Sequence, residues 1–299
     1  MSAHQNTPSV VDHVAKIATR RPTTRRILTV IAQHAVGIVL CIIVLIPFIV
    51  VFTTAFMSQH QQGNGSLWPH PWVWTNFGQV FKDMPFWANF KNSVIYAVVA
   101  SIGVVISSTL TAYGLSRIKW RGRDVTFIIV LAAMMIPPQV TSLPLYILYA
   151  KMHLIGTLWP LMLPVFFGDA WSIFLLRQFF LTIPMEMSEA ARLDGASEFS
   201  ILTRVIVPMA KPGIAAIGLF QFIYCWTDFY NPLLYTGNTG NQSNQTLAVS
   251  MLTLAQGPHM QSFQLIMAAS LMFTIPLIII FFFAQRVFVE GISITGVKG

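Results

Sequence analysis

Two carboxylates stand in otherwise apolar stretches: Asp169, after Gly168, and Asp228, within Trp226-Thr-Asp-Phe-Tyr-Asn-Pro-Leu233. A charge inside a bilayer costs at least ~2.5 kcal/mol even on the lenient insertion scale, so such residues serve a proton relay, a solute route or a helix end. Covalent chemistry is poorly supplied. Gly168-Asp169 matches half of the Gly-x-Gly-Asp pattern of intramembrane aspartyl proteases, but position 166 is Phe, and no His-Glu-x-x-His zinc pattern occurs. No Gly-x-x-x-x-Gly-Lys-Ser/Thr loop is present to cradle nucleotide phosphates. Cys41 and Cys225 fall in apolar stretches and read as packing residues rather than a disulfide or zinc pair. His34, near the start of an apolar stretch, reads as interfacial rather than as a ligand. The polar groups left over suit a noncovalent task. Gln139 after Pro137-Pro138, Asp169, and the run holding Trp226, Asp228, Tyr230 and Asn231 are candidates to line a route for a polar solute. Asp228 has the alternative of stabilising a helix end at the outer headgroup level.

A second constellation is a polar insert between apolar stretches. From Arg177 the chain reads Arg-Gln-Phe-Phe-Leu-Thr-Ile-Pro-Met-Glu-Met-Ser-Glu-Ala-Ala-Arg-Leu-Asp-Gly-Ala-Ser-Glu-Phe199, then Val205-Ile-Val-Pro208 and Lys211-Pro-Gly213. Pro184 suits a first helical turn because its missing N–H would have no intrahelical partner there, and Glu186 and Glu189 then lie toward the positive end of the helix dipole. Asp194-Gly195 ends that helix, since glycine accepts the left-handed conformation after a C-cap and lets another backbone come close. Ser197 can cap a second helix with Phe199, Leu202 and Ile206 at helical spacing, which Pro208 stops. The expected product is a helix-turn-helix outside the bilayer, whose small Ala190-Ala191 step can settle into a groove on a partner. An ordinary surface hairpin is the competing reading; the flanking Arg-Gln-Phe-Phe, Ile-Pro and Arg-Leu-Asp-Gly-Ala residues weigh against it.

The elements that must position these residues are membrane helices. Hydrophobic residues make up 55% of the 299 and charged residues 9%, whereas soluble domains carry about a quarter charged residues. Stretches long enough for a ~20-residue crossing occur at 32–56, 93–115, 127–149, 158–180, 214–235 and 265–288. The Pro137-Pro138 pair and Pro144 are expected to break the third, and Pro232 to disturb the fifth near its outer end. Fifteen of the eighteen Lys and Arg fall before the first stretch, between the second and third, in the insert, or after the last; only Lys82, Lys91 and Lys151 remain for the other side. That bias places both termini and the insert in the cytoplasm. The net charge of +8 therefore reports topology, not nucleic-acid binding. The first stretch is too long for a signal-peptide core and no small-x-small cleavage site follows it, so a retained, polar amino-terminal tail is expected. On the outer side, 57–92 combines turn formers with Trp68, Trp72, Trp74 and Trp87, a surface suited to a docking partner or to the headgroup level. The Gly-, Asn- and Gln-rich 236–264 is expected to loop, and Asn64-Gly-Ser66 and Asn244-Gln-Thr246 match glycosylation acceptors only incidentally.

With Glu189-Ala190-Ala191, three residues, Gly195, nine residues and Val205-Ile-Val-Pro208, the insert resembles the cytoplasmic "EAA" loop of importer-type ABC permeases. Phe90-Lys-Asn-Ser93, Ala112-Tyr-Gly-Leu-Ser-Arg117, Arg286-x-Phe-Val289 and the closing Gly291-x-x-x-x-Gly296-Val-Lys-Gly299 extend the likeness over 28–299, to the smaller inner-membrane subunit of maltose-type carbohydrate importers. The resemblance implies an all-α membrane protein with six transmembrane helices in the type I ABC importer permease fold. It divides the chain into a cytoplasmic tail, 1–27, and a permease domain, 28–299, that contains the coupling loop 178–212. It assigns ATPase coupling to Glu189, Ala190, Ala191, Asp194, Gly195 and Pro208. It further implies a second homologous permease subunit, two copies of an ABC ATPase and an extracytoplasmic sugar-binding protein, in a prokaryotic cytoplasmic membrane. This subunit would be non-catalytic and bind no cofactor, ATP being used by its partner. The expected cargo is a sugar or oligosaccharide, with glycerol-3-phosphate or a polyol as the alternative; a proton-coupled secondary transporter titrating Asp169 or Asp228 is the competing class, and it would have no use for the Glu-Ala-Ala-x-x-x-Gly insert. The family commonly has Asn where this chain has Thr227, so a contact specific to that amide is not expected here.

Overall fold

The computed structural model describes residues 24–61, 65–237, 239–256 and 262–296, with side chains between 28 and 285. Most of the expected tail, Asn64, the side chain of Arg286 and the closing 297–299 lie outside the described residues. Every regular element among the described residues is helical. The chain divides into two units, 1–51 and 52–299.

The described part of the first unit is a single helix, α1 (Thr24–Ala55), which runs on past the boundary. Its apolar side chains from Leu28 to Val50 are exposed, the pattern of a helix whose solvent is hydrocarbon. His34 shares its Nδ1 with the Val30 carbonyl oxygen of its own helix at 2.7 Å, so its polar atom is occupied locally.

The second unit is organised on α3 (Phe86–Ser116), which follows a short amphipathic helix, α2 (Thr75–Asp83). Ala97, Ala100, Gly103, Ser107, Ser108 and Ala112 recur at helical spacing along α3 and are buried. Small side chains let neighbouring membrane helices approach closely, here α7 (Ala170–Thr182) and α11 (Lys211–Thr227). Between α3 and α7 run α4 (Arg123–Ala133), α5 (Pro138–Lys151) and α6 (Trp159–Met162), and between α7 and α11 run α8 (Met185–Leu193), α9 (Glu198–Ile201) and α10 (Val207–Met209). Beyond α11 come α12 (Tyr230–Pro232), α13 (Leu247–Gln256) and α14 (Phe263–Gly296).

Among the described residues, four helical stretches are long and apolar enough to cross a bilayer: Leu28–Ala55, Phe86–Ser116, Trp159–Thr182 and Phe263–Gln285. Six is reached only if two bent pairs are each counted as one crossing. The third expected span is one of them, with α4 and α5 meeting at 92°. The break falls at 134–137, where Pro138 holds the preceding Pro137 extended with ψ 131°. Pro144 sits inside α5 without ending it. In the other pair, α9–α10 meets α11 at 82°. The insert's second helix does not stop at Pro208, because that residue occupies a first-turn position of α10, where a missing N–H costs nothing. The chain turns instead at Ala210, after a π-helical turn over Leu202–Ile206. α11 ends at Thr227, five residues before Pro232, because Asp228 turns extended with ψ 124°.

The connections at 57–92 and 236–264 are more ordered than their composition suggests. Within 236–264 lie a 3-10 turn, Gln242–Asn244, and α13, whose Leu247, Val249 and Leu254 are buried. Asn89 donates to the carbonyls of Gln242 and Gln245 at 2.7 and 2.9 Å, and Ser93 Oγ accepts from the Leu247 N–H at 2.8 Å. These tertiary bonds satisfy backbone that composition alone assigns to water. In 57–92, Phe56 gathers Trp72, Trp74 and Phe77 at 4.7–5.2 Å between centroids, while Trp68, Trp74 and Trp87 stay more than half exposed.

Candidate functional site

Among the described residues, the insert and a cleft between the helices hold most of the candidate site residues. In the insert, α8 begins after Pro184, which stands in the capping position with ψ 139° rather than inside the first turn. Glu186, Met187, Glu189 and Ala190 face outward, while Ala191 packs inward against the core. The helix ends as the sequence indicates. Gly195 adopts φ +82°, its N–H bonds the Arg192 carbonyl and the Ala196 N–H the Ala191 carbonyl, both at 3.0 Å. This paired closure satisfies the carbonyls that a helix terminus leaves open, and it needs a residue that tolerates positive φ. Ser197 Oγ then accepts from the Ser200 N–H at 3.3 Å and starts α9. Asp194 and Pro208 are exposed. Ile201, Leu202 and Ile206 are buried in one cluster with Leu176 and Phe180 of α7 and with Val104, Ala112 and Tyr113 of α3, whereas Phe199 points out, 69% exposed.

Four residues that spacing did not single out fasten the insert to the helices above it. Arg192 Nε donates to Glu198 Oε1 at 2.6 Å, and its Nη2 reaches Oε2 at 3.2 Å and the Arg117 carbonyl at 3.4 Å. Tyr113, in the last turn of α3, donates its hydroxyl to the same Oε2 at 2.5 Å. Arg117, 2% exposed, donates to the carbonyls of Phe180, Ile183 and Pro184 at 2.5, 2.6 and 3.3 Å, filling acceptors at the C-terminal end of α7. The Arg192 hydrogen bond holds the Glu198 carboxyl below its usual range, outweighing partial burial, with Tyr113 adding to the effect. The only sequence signal for this tie was the presence of both arginines in the motifs; a pairing six residues apart across a turn follows no helical spacing.

A cleft of about 640 Å³ lies among α3, α5, the α6–α7 segment, α11 and the α12 region. Asp169 and Asn231 both line it, so the structure brings together two of the residues expected on a solute route. Asp169 caps α7, its Oδ2 accepting from the N–H and Oγ of Ser172 at 2.8 and 2.6 Å. The chain reaches that position through Gly168 at φ +108°, where an added Cβ would also meet Ile173 at 3.1 Å. Asp228 stands one layer behind the lining. It accepts from Tyr96 OH at 2.9 Å and from the amide and backbone N–H of Asn231 at 3.0 and 3.3 Å. Its helix-end role is therefore real, and it coexists with a place beside the cleft.

Three expected route residues stand elsewhere. Trp226 is 1% exposed, donates Nε1 to the Phe273 carbonyl at 3.1 Å and packs against Phe90 and Phe222; it is a core residue. It faces inward because α11 turns that side toward α14. Gln139 is exposed at the α4–α5 bend and does not line the cleft. Tyr230, 46% exposed, ties α12 to α5 through Ser142 at 3.2 Å. Thr227 turns its hydroxyl back to the Ile223 carbonyl at 2.8 Å. Sequence reasoning missed the aromatic wall of the cleft: Tyr96, Tyr149, Trp171, Tyr224 and Tyr235 come from five separate segments and leave no local pattern.

This arrangement, a helical unit with an interior cleft and a fastened polar insert, has recognisable relatives. Residues 103–294 match the family described as "Binding-protein-dependent transport system inner membrane component". The chain is 32% identical over 227 residues to the arabinooligosaccharides transport system permease protein of Halalkalibacterium halodurans, covering 75% of this chain and 79% of that one. It is 28% identical over 267 residues to the sn-glycerol-3-phosphate transport system permease protein of Yersinia pestis, covering 87% and 94% respectively. Its fold is similar to a chain in the crystal structure of a bacterial ABC transporter involved in the import of the acidic polysaccharide alginate, with TM-score 0.76, 24% identity, and 90% and 99% of the two chains covered. The chain belongs to the family of inner-membrane components of binding-protein-dependent transport systems, and is thus a multi-pass membrane permease subunit.

Proposed function

We propose that this chain is one of two permease subunits of an ATP-driven importer of a sugar or oligosaccharide, forming half of the pore and seating its insert in a partner ATPase. The observation that carries this reading is the two-faced insert. Its inner face shares one core cluster with α3 and α7, while its outer face offers Glu186, Glu189 and Ala190 beside two apolar side chains, Leu193 at 90% and Phe199 at 69% exposure. Apolar side chains that far out in water are suited to burial by a partner. Closure of two ATPases on ATP would push the insert, and the shared core would carry the push into the helices that wall the cleft. The charge bias puts the insert and both termini in the cytoplasm, with an external binding protein delivering solute on the opposite side. The tail 1–27 would then be cytoplasmic and 28–299 the permease domain, with the coupling loop at 178–212. Glycerol-3-phosphate or a polyol is the second reading, favoured by the Yersinia relative.

The test is copurification. Tagged subunit should bring down an ATPase and a second permease; Glu189→Lys, which puts a repulsive charge on the outer face, should weaken ATPase recovery, whereas Lys211→Glu should have little effect. A subunit that purifies alone and still transports would remove the coupling role.

A further inference from the structure

We propose that the cleft is an anion-excluding passage, built for an uncharged polyhydroxylated solute and against phosphate esters and uronates. The inference rests on the cleft being the solute route. Among the described residues, none of those lining it is Lys, Arg or His. Its charge comes from carboxylates: Asp169 in the lining, and Asp228 held behind it by Tyr96 and Asn231, both of which line the cleft. Asp228 accepts three hydrogen bonds and lies in no ion pair within 4 Å among the described residues. Tyr224 also lines the cleft.

Protein sites that take anions use Arg or Lys forks, or the open N–H groups at a helix N-terminus. Both devices are missing here. The N-terminus of α7, which opens on the cleft, is already occupied by the Asp169 carboxylate, and the turn into α12 by that of Asp228. What the walls do offer is suited to sugar hydroxyls and ring faces: the amides of Gln221 and Asn231, tyrosine hydroxyls, and the aromatic surfaces of Trp171 and Phe220. In a low-dielectric setting two like charges act at longer range than in water, so an anion is repelled before it makes any contact.

The field can be measured without knowing the cargo. In the purified complex with the sister permease and ATPase, held in nanodiscs and carrying Cys41→Ala and Cys225→Ala, single cysteines are placed by Tyr224→Cys in the cleft and Thr239→Cys on an exposed outer turn. Each is reacted with a cationic (trimethylammonium-ethyl) and an anionic (sulfonatoethyl) methanethiosulfonate. The cation-to-anion rate ratio at 224 should exceed that at 239 by about tenfold or more. Asp169→Asn and Asp228→Asn should each lower it, asparagine keeping both caps. A ratio within about twofold of that at 239, or one indifferent to both substitutions, overturns the filter and leaves the importer reading standing. A cysteine at 224 inert to both reagents, with and without ATP, overturns the route itself. As a second arm, the complex reconstituted with its binding protein should move neither sn-glycerol-3-phosphate nor an alginate oligosaccharide; ATP-dependent uptake of either sinks the proposal.

Discussion

Gly195 offers a measurement that separates two reasons for a glycine at the insert's turn. Its φ is +82° and a Cβ built there has no heavy atom within 4 Å. Within this chain, then, a side chain costs nothing in clash and only the backbone conformation is penalised. For an ordinary L-residue that penalty is about 1–2 kcal/mol, which corresponds to a five- to thirty-fold loss in the population of the closed turn. Asparagine tolerates this conformation far better, and a β-branched residue worst of all. If the turn is the requirement, uptake by the reconstituted importer should fall in the order Gly, Asn, Ala, Val, with Gly195→Asn near the parent and Gly195→Val abolishing uptake or uncoupling ATP hydrolysis from it. If close approach of the ATPase backbone is the requirement, the order follows size, and Gly195→Ala outperforms Gly195→Asn. Opening the turn also breaks the two 3.0 Å closing bonds and lets Arg192 part from Glu198, so limited proteolysis of the insert should track uptake across the series. Normal uptake with full coupling in Gly195→Val would refute both accounts and reduce the insert to a surface hairpin.

Cysteines placed at Ser66 and Asn244 should react with an impermeant thiol reagent in intact cells while one at Ser197 does not; labelling at Ser197 would reverse the orientation and end the ATPase argument. Asp228→Asn should slow uptake with assembly intact, and unchanged uptake over a wide range of solute concentration would leave Asp228 with its helix-end role alone. A double-mutant cycle of Arg192→Ala and Glu198→Ala should give a coupling energy below ~1 kcal/mol, since both side chains remain partly exposed, while Tyr113→Phe should cost about 1 kcal/mol in thermal stability. Because the folded Glu198 carboxyl titrates below its unfolded value of ~4.3, its anchoring should be fully present above that pH and lost as pH falls through the lower folded value. Proteolysis of the insert should thus rise on acidification in the parent and lose that dependence in Glu198→Gln.

Much of this protein was settled by neighbours in sequence. A membrane environment follows from composition, since no core can bury so many apolar side chains in water. The insert's turn was legible because caps and a positive-φ glycine act over four or five residues: α8 closes at Asp194-Gly195 and α9 starts after Ser197, as their types require, whereas Pro184 and Pro208 took positions other than those expected. Packing between distant segments decided the rest. The Pro137-Pro138 pair announced a break but not its 92° angle, and a Gly-, Asn- and Gln-rich stretch could not reveal α13, whose supports come from Asn89 and Ser93 about 150 residues earlier. Trp226 and Asn231 look equally fit for a solute route in sequence, yet one is sealed in the core and the other lines the cleft. Asp169, Tyr96 and Gln221 share no period or motif and meet only because small residues along α3 let α7 and α11 close around it. Side-chain direction in a helix is set by which face its neighbours cover, and that is a property of the assembled bundle rather than of any segment within it.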